Sequence, residues 1–99
     1  MKGSNRRDLR RRQTCAHFEI SRILLKASLY DEQLPTHLRQ HAASQLAQQP
    51  RDASRTRLRN RCVITGRSRG ILRHFRLSRL QFRNMAAQGL LPGIRRAQW

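Results

Sequence analysis

The chain has 99 residues and carries 22 Lys and Arg against five Asp and Glu, a formal charge of +17. That length holds one small domain, or an extended chain with a small folded end, and Leu, Ile, Val and Phe, 22 residues together, supply only a thin core. No apolar run reaches the 18 or so residues of a membrane span, and so few acids, mostly in the N-terminal half, leave no paired-carboxylate site.

This composition borders on that of disordered chains, so part of the order has to come from a partner. Twenty of the 22 cations are Arg, with only Lys2 and Lys26 as exceptions. Arg presents a planar fork that matches phosphate and stacks on bases, and a charge of this size in a compact domain calls for a polyanion. Nucleic acid fits best, and an anionic membrane surface comes second.

The opening MKGSNRRDLRRRQTCAHFEI has no apolar core suited to a signal peptide. It resembles a mitochondrial transit peptide in composition, although Asp8 and Glu19 interrupt it. Residues 5–30 read as a helix, with Ala16, Ile20, Ile23, Ala27 and Tyr30 forming a narrow apolar stripe at spacings of three and four. Arg6, Arg7, Arg10, Arg11 and Arg12 crowd its first turns and oppose the helix dipole, so that end is expected to fray until phosphates neutralise it. A turn around Pro35 follows, and then a second helix over 36–48. Thr36 is its candidate cap, Leu38, Ala42 and Leu46 form its apolar face, and Pro50 ends it. The two helices are expected to pack as an antiparallel pair.

Residues 50–61 form a basic linker in which Arg51, Arg55, Arg57, Arg59 and Arg61 alternate with small or polar residues. An extended backbone would place them along one side, as a strip for a sugar–phosphate chain. Residues 62–73 suggest a short hairpin-like element around Gly66 and Gly70. A short helix is expected over 78–88, capped by Ser78 and ended by Gly89. The tail LLPGIRRAQW has no regular pattern. The expected fold is mainly α with irregular extended segments. It comprises an N-terminal helical extension (1–49), a basic linker (50–61) and a compact C-terminal module (62–99) with a short hairpin-like turn and one short helix. Charge follows the same division: residues 1–50 carry nine cations and four acids, and residues 51–99 carry 13 Arg and Asp52 alone.

His37 and His41 lie four apart on the second helix, a spacing that suits a metal or an acid–base pair. Leu38, Arg39 and Gln40 between them lack the Glu of a zinc-protease helix, so solvated histidines are the simpler reading. Gly66-Arg67-Ser68-Arg69-Gly70 matches no P-loop or dinucleotide fingerprint. It is a turn whose glycines would also let backbone approach phosphate. Phe75 and Phe82 interleave with Arg73, Arg76, Arg79 and Arg83 and read as core anchors, while Trp99 is open to stacking on a base or packing on a partner. Arg76, Arg79 and Arg83 share one cationic helical face. Cys15 and Cys62 make no disulfide framework.

The run RNRCVITGRSRGILRHFRLSRLQFRNMAAQGLLPGIRRAQW resembles the small-subunit ribosomal protein fourteen family in its zinc-free bacterial and mitochondrial form. The likeness rests on Arg59-Asn60-Arg61-Cys62, Thr65-Gly66-Arg67, Leu77-Ser78-Arg79, Gly89 and a closing Trp99, in order over about forty residues, with Pro50-Arg51-Asp52-Ala53-Ser54 before them. Many members hold zinc with two C-x-x-C pairs. The matching positions here are Cys62, Thr65, Ser78 and Gln81, so the resemblance implies no metal and no other cofactor. Ser68 stands where the family commonly has proline, and Arg76 where bacterial members often have glycine, which favours a mitochondrial matrix location over a bacterial cytoplasm or plastid.

The resemblance implies a structural constituent of the small subunit that binds the 3′ major (head) domain of its RNA and supports assembly and translation without catalysis. Its implied neighbours are the head proteins numbered three, ten and nineteen, with no membrane role and no homo-oligomer. The RNA-binding residues expected are Arg51, Arg55, Arg57, Arg59, Asn60, Arg61, Arg67, Arg69, Arg73, Arg76, Arg79, Arg83, Arg95, Arg96 and Trp99. Three other readings compete: a free basic RNA-binding protein, a cationic membrane-active peptide, and an RNA-processing enzyme using His37 and His41.

Overall fold

A computed structural model describes residues 2–99 and is mostly helical. The elements in order are α1 (Gly3–Tyr30), α2 (Thr36–Gln48), two single 3₁₀ turns (Arg51–Ala53 and Arg55–Arg57), β1 (Ile71–Leu72), β2 (Leu77–Ser78) and α3 (Arg79–Ala87). The chain forms two compact units. One gathers Met1–Asp8 with Arg59–Trp99, and the other is Leu9–Leu58.

In the unit Leu9–Leu58, Cys15, Ala42 and Ala53 are buried. The side chain of Gln49, just past α2, donates to the Ser21 hydroxyl in the middle of α1 (3.2 Å), so α2 folds back along α1. The stripe expected to make this contact does not make it. Ala16, Ile20, Ile23, Ala27 and Tyr30 are all exposed, and α1 instead turns Cys15, Phe18, Ser21, Leu25 and Leu29 away from solvent. Nor does Thr36 cap α2. Pro35 occupies the cap position and its carbonyl accepts from the Leu38 and Arg39 amides, while no side chain contributes.

Residues 50–61 are not the extended strip expected. Pro50 opens a 3₁₀ turn that buries Ala53 completely. Asp52 pairs with Arg57 at 2.7 Å and with Arg11 at 3.5 Å. A turn anchored by a carboxylate and a buried methyl cannot present its arginines alternately along one side.

In the other unit, α1 is helical from Gly3, contrary to the fraying expected of its Arg-rich start. The Asn5 side chain holds it, donating to the carbonyls of Cys62 (3.2 Å) and Val63 (3.0 Å). Asp8, one turn on, is buried in the same unit. The hairpin forms further along than residues 62–73: β1 and β2 pair antiparallel, Ile71 with Ser78 and Leu72 with Leu77. Residues 62–67 instead close on themselves, the Gly66 amide donating to the Cys62 carbonyl and the Cys62 amide to the Arg67 carbonyl, both at 2.9 Å.

Gly66 is buried, with φ +74°, and an added Cβ would lie 2.5 Å from the Ser4 hydroxyl oxygen. Gly66→Val therefore combines a left-handed conformation hostile to a β-branched residue with a collision. It should cost about 2 kcal/mol or more in equilibrium denaturation. Gly3→Ala, which meets nothing within 4 Å, should be close to neutral.

α3 is the element whose limits follow most directly from local chemistry. The Ser78 hydroxyl accepts from the Gln81 amide at 3.3 Å, as an N-cap should. At the other end Gly89 has φ +72°, its amide donates to the Ala86 carbonyl and the Leu90 amide to the Met85 carbonyl. That pair of bonds is the Schellman arrangement, which satisfies the last carbonyls and stops the helix. Phe75 and Phe82 are in ring contact, centroids 4.7 Å apart, but they are not the core anchors expected: Phe75 is exposed and Phe82 half-buried, and the buried side chains of this unit are Asp8, Cys62, Leu77 and Ser78.

Candidate nucleic-acid interface

The charge is divided unevenly between the two units. Met1–Asp8 with Arg59–Trp99 holds 13 Lys and Arg and one acid, Asp8, for +12, whereas Leu9–Leu58 holds nine cations and four acids, for +5. Of the sequence-predicted residues, Arg59, Asn60, Arg61, Arg67, Arg69, Arg73, Arg76, Arg79, Arg83, Arg95, Arg96 and Trp99 share the more basic unit, while Arg51, Arg55 and Arg57 belong to the other. Arg57 is committed to Asp52, and Arg55 makes a long pair with Glu19 at 3.9 Å. Arg6 and Arg7, noted in the sequence only as part of a helix-opposing cluster, and Lys2, noted only as one of two lysines, are exposed in the same unit as the C-terminal arginines. The acid-poor run around Asn5 was the available signal.

Several arginines are held by their own backbone. Arg61 Nη1 donates to the Gly66 carbonyl (3.1 Å), Arg67 Nε to the Arg69 carbonyl (3.2 Å) and Arg59 Nε to the Ser68 carbonyl (3.4 Å). A guanidinium has five N–H donors, so one bond to a carbonyl orients Arg61 or Arg67 and leaves donors for a phosphate. Fixing the fork in advance lowers the entropy lost on binding. The stem of Arg79 lies against Gly70, which has φ +62° and no side chain to displace it.

Arg76 does not share a helical face with Arg79 and Arg83. It lies in the turn between β1 and β2, before α3, and its φ of +53° is the only positive value at a non-glycine among the described residues. A left-handed Arg costs about 1 kcal/mol relative to Gly. Arg76→Gly should raise stability by about that amount in thermal denaturation. Arg95, Arg96 and Trp99 lie exposed in the tail beyond α3.

Cys62, Thr65, Ser78 and Gln81, the positions that the resemblance matched to zinc ligands, are linked by hydrogen bonds. Cys62 and Ser78 are fully buried. Around the Cys62 sulfur stand the Thr65 hydroxyl and the amides of Thr65, Ser78 and Ile64. Ser78 in turn caps the helix containing Gln81. Burial pushes the Cys62 thiol up, but these donors outweigh it and bring its pKa from 9.0 down to about 6. One thiol, two hydroxyls and an amide do not fit a tetrahedral zinc site, and the described residues contain no group of three or more His, Cys, Asp or Glu able to hold a metal. His37 and His41 are exposed on α2, and the His41 ring hydrogen-bonds Gln45 (2.9 Å). No helix of the described residues is long and apolar enough to cross a membrane.

A family model described as ribosomal protein S14p/S29e matches residues 45–98. Among curated proteins, the chain is 42% identical over 93 residues to small ribosomal subunit protein uS14m of Marchantia polymorpha, covering 94% of each chain. It is 42% identical over 98 residues to uS14 of Rhodopseudomonas palustris, covering 99% of this chain and 97% of that one. It is 47% identical over 93 residues to uS14A of Salinispora tropica, covering 94% and 92%.

Proposed function

Because the chain belongs to the ribosomal protein S14p/S29e family, and is thus a structural constituent of the small ribosomal subunit and not an enzyme, we propose that its more basic unit binds the 3′ major domain of small-subunit RNA. The observation that carries this reading is the +12 charge gathered on that unit. Phosphates take the forks of Arg61, Arg67 and Arg69, the hairpin-turn cation Arg76, and Arg79 and Arg83 on α3. Arg59, Asn60, Arg73, Arg95 and Arg96 extend the same surface and Trp99 stacks on a base; Arg51 and Arg55, in the other unit, add separate contacts, while Arg57 is held by Asp52. Such contacts position the protein and do not read sequence, so selectivity comes from RNA shape.

The zinc-free cluster around Cys62 replaces metal with hydrogen bonds. The neighbours are the head proteins numbered three, ten and nineteen. The compartment is the mitochondrial matrix, supported by the mitochondrial relatives and by the non-glycine residue at position 76; close bacterial relatives make the bacterial cytoplasm the competing location.

The test is sedimentation of the tagged chain from an organelle lysate at moderate salt, with the bound RNA sequenced. Co-migration with the small subunit and enrichment of its 3′-domain RNA are expected. A chain that stays at the top of the gradient, or carries unrelated RNA, overturns the reading.

A further inference from the structure

Guanidinium groups converge on the turn Gly66–Gly70. Arg67 and Arg69 are exposed on either side of Ser68. Arg59 Nε donates to the carbonyl of Ser68 itself (3.4 Å), and Arg61 Nη1 to the carbonyl of Gly66 (3.1 Å). The stem of Arg79 lies against Gly70. The turn holds no carboxylate, and the one acid of this unit, Asp8, is buried.

Ser68 brings a hydroxyl into this setting. The Thr65 hydroxyl nearby is engaged by the Cys62 sulfur and the Arg67 amide (3.5 Å), and the Ser78 hydroxyl is fully buried and caps α3. Ser68 is only half-buried, and among the described residues its carbonyl alone is hydrogen-bonded. Residues 66–68 lie outside helix and strand, in irregular backbone of the kind that a modifying enzyme's cleft can take up. A phosphate on this hydroxyl would carry about two negative charges and three strong acceptor oxygens. It would meet forks built for such a group and no competing anion.

We propose that Ser68 is a phosphorylation site and that its phosphate blocks RNA binding by taking the forks of Arg67, Arg69 and Arg59. A protein kinase that selects serine between arginines supplies the enzyme, and ATP the phosphoryl group. The Ser68 Oγ attacks the γ-phosphorus, the bond to the β–γ bridging oxygen breaks, ADP leaves, and the hydroxyl proton passes to the kinase's base. The block rests on the RNA reading above: the phosphate stands in for an RNA phosphate on the same cations, so the free chain is held off RNA until it is dephosphorylated.

The first experiment incubates the full chain with lysate of the source cells and ATP labelled in its γ-phosphate. Label should enter the chain at Ser68, located by mass spectrometry, and Ser68→Ala should lack it. No label at Ser68 overturns the proposal, whatever the chain does with RNA. The second uses the full chain with phosphoserine installed at position 68 during synthesis. In phosphorus NMR its phosphate should titrate below the midpoint of about 6 of an isolated phosphoserine. Arg67→Gln with Arg69→Gln should move that midpoint back up. An unshifted midpoint means that the arginines do not hold the phosphate, and overturns the capture. In filter binding the phosphorylated chain should bind small-subunit RNA about tenfold more weakly or worse, with a salt slope flatter by about 2. Ser68→Ala should bind as the unmodified chain does. Equal binding by the phosphorylated and unmodified chains overturns the block. An unmodified chain that fails to bind this RNA overturns the RNA reading instead, and the label and the titration still decide for or against Ser68.

Discussion

Raising salt from 50 to 200 mM should weaken binding of the chain to small-subunit RNA by about 10⁴-fold, a fall in log affinity against log salt with a slope of roughly −7 for about ten neutralised phosphates. The basis is counterion release, since each phosphate paired with a cation frees a condensed ion, and the free-energy gain vanishes as bulk salt rises. The more basic unit exposes Lys2, Arg6, Arg7, Arg59, Arg67, Arg69, Arg73, Arg76, Arg79, Arg83, Arg95 and Arg96, enough for ten contacts with some left over. A filter-binding titration over that range measures the slope. Arg67→Gln with Arg69→Gln should flatten it by about 1 to 2 and weaken all RNA sequences alike. A slope near −2 would reject a mechanism built on many arginine–phosphate contacts.

The second large effect is on stability. Cys62 has a pKa of about 6 in the folded chain against an ordinary 9.0, because the Thr65 hydroxyl and three amides favour the thiolate despite burial. A group whose pKa is depressed by folding stabilises the fold most above its unfolded value. That contribution declines as pH falls from 9 toward 6 and is gone below the folded value. The full gap corresponds to about 4 kcal/mol. Urea denaturation of the whole chain should show stability rising from pH 6 to pH 9. Cys62→Ser should flatten that rise, and Thr65→Val should reduce it by removing the hydroxyl donor. A wild-type chain with the same midpoint at pH 6 and pH 9 would mean that the thiol stays protonated in its pocket.

Sequence and structure agree where one residue type enforces one geometry. Pro35 and Pro50 delimit α2, and Ser78 and Gly89 delimit α3, because a missing amide, a short hydroxyl and a left-handed glycine each act locally. The apolar stripe of α1 was equally legible as a pattern. Its direction was not, because periodicity identifies a face without saying whether the chain itself or another molecule covers it. The 50–61 segment escaped because its order depends on Asp52 reaching Arg11, forty-one positions earlier, and on one buried methyl at Ala53. The hairpin was displaced because Gly66 and Gly70 both take positive φ, which curls residues 62–70 and leaves pairing to residues 71–78. Among the basic candidates, residue type marked the cations but not which unit would gather them, so Arg6 and Arg7 were read only as part of the helix and Lys2 was given no role.

The Asn5 bonds to Cys62 and Val63 join positions 57 and 58 residues apart, and that separation bears on how the chain is made. The first turn of α1 belongs to a unit whose other members are almost the last to be synthesised. Until about sixty residues have emerged, Asn5 has no carbonyl to meet and the Arg-rich turn around it has no support. Closing so long a loop is slow relative to forming a local helix. During that interval the nascent chain exposes its most basic segment without its fold, so RNA can take hold of the arginines before the module is complete. Any processing that removed the residues through Asn5 would take away the side chain that ties this helix to the turn at Cys62.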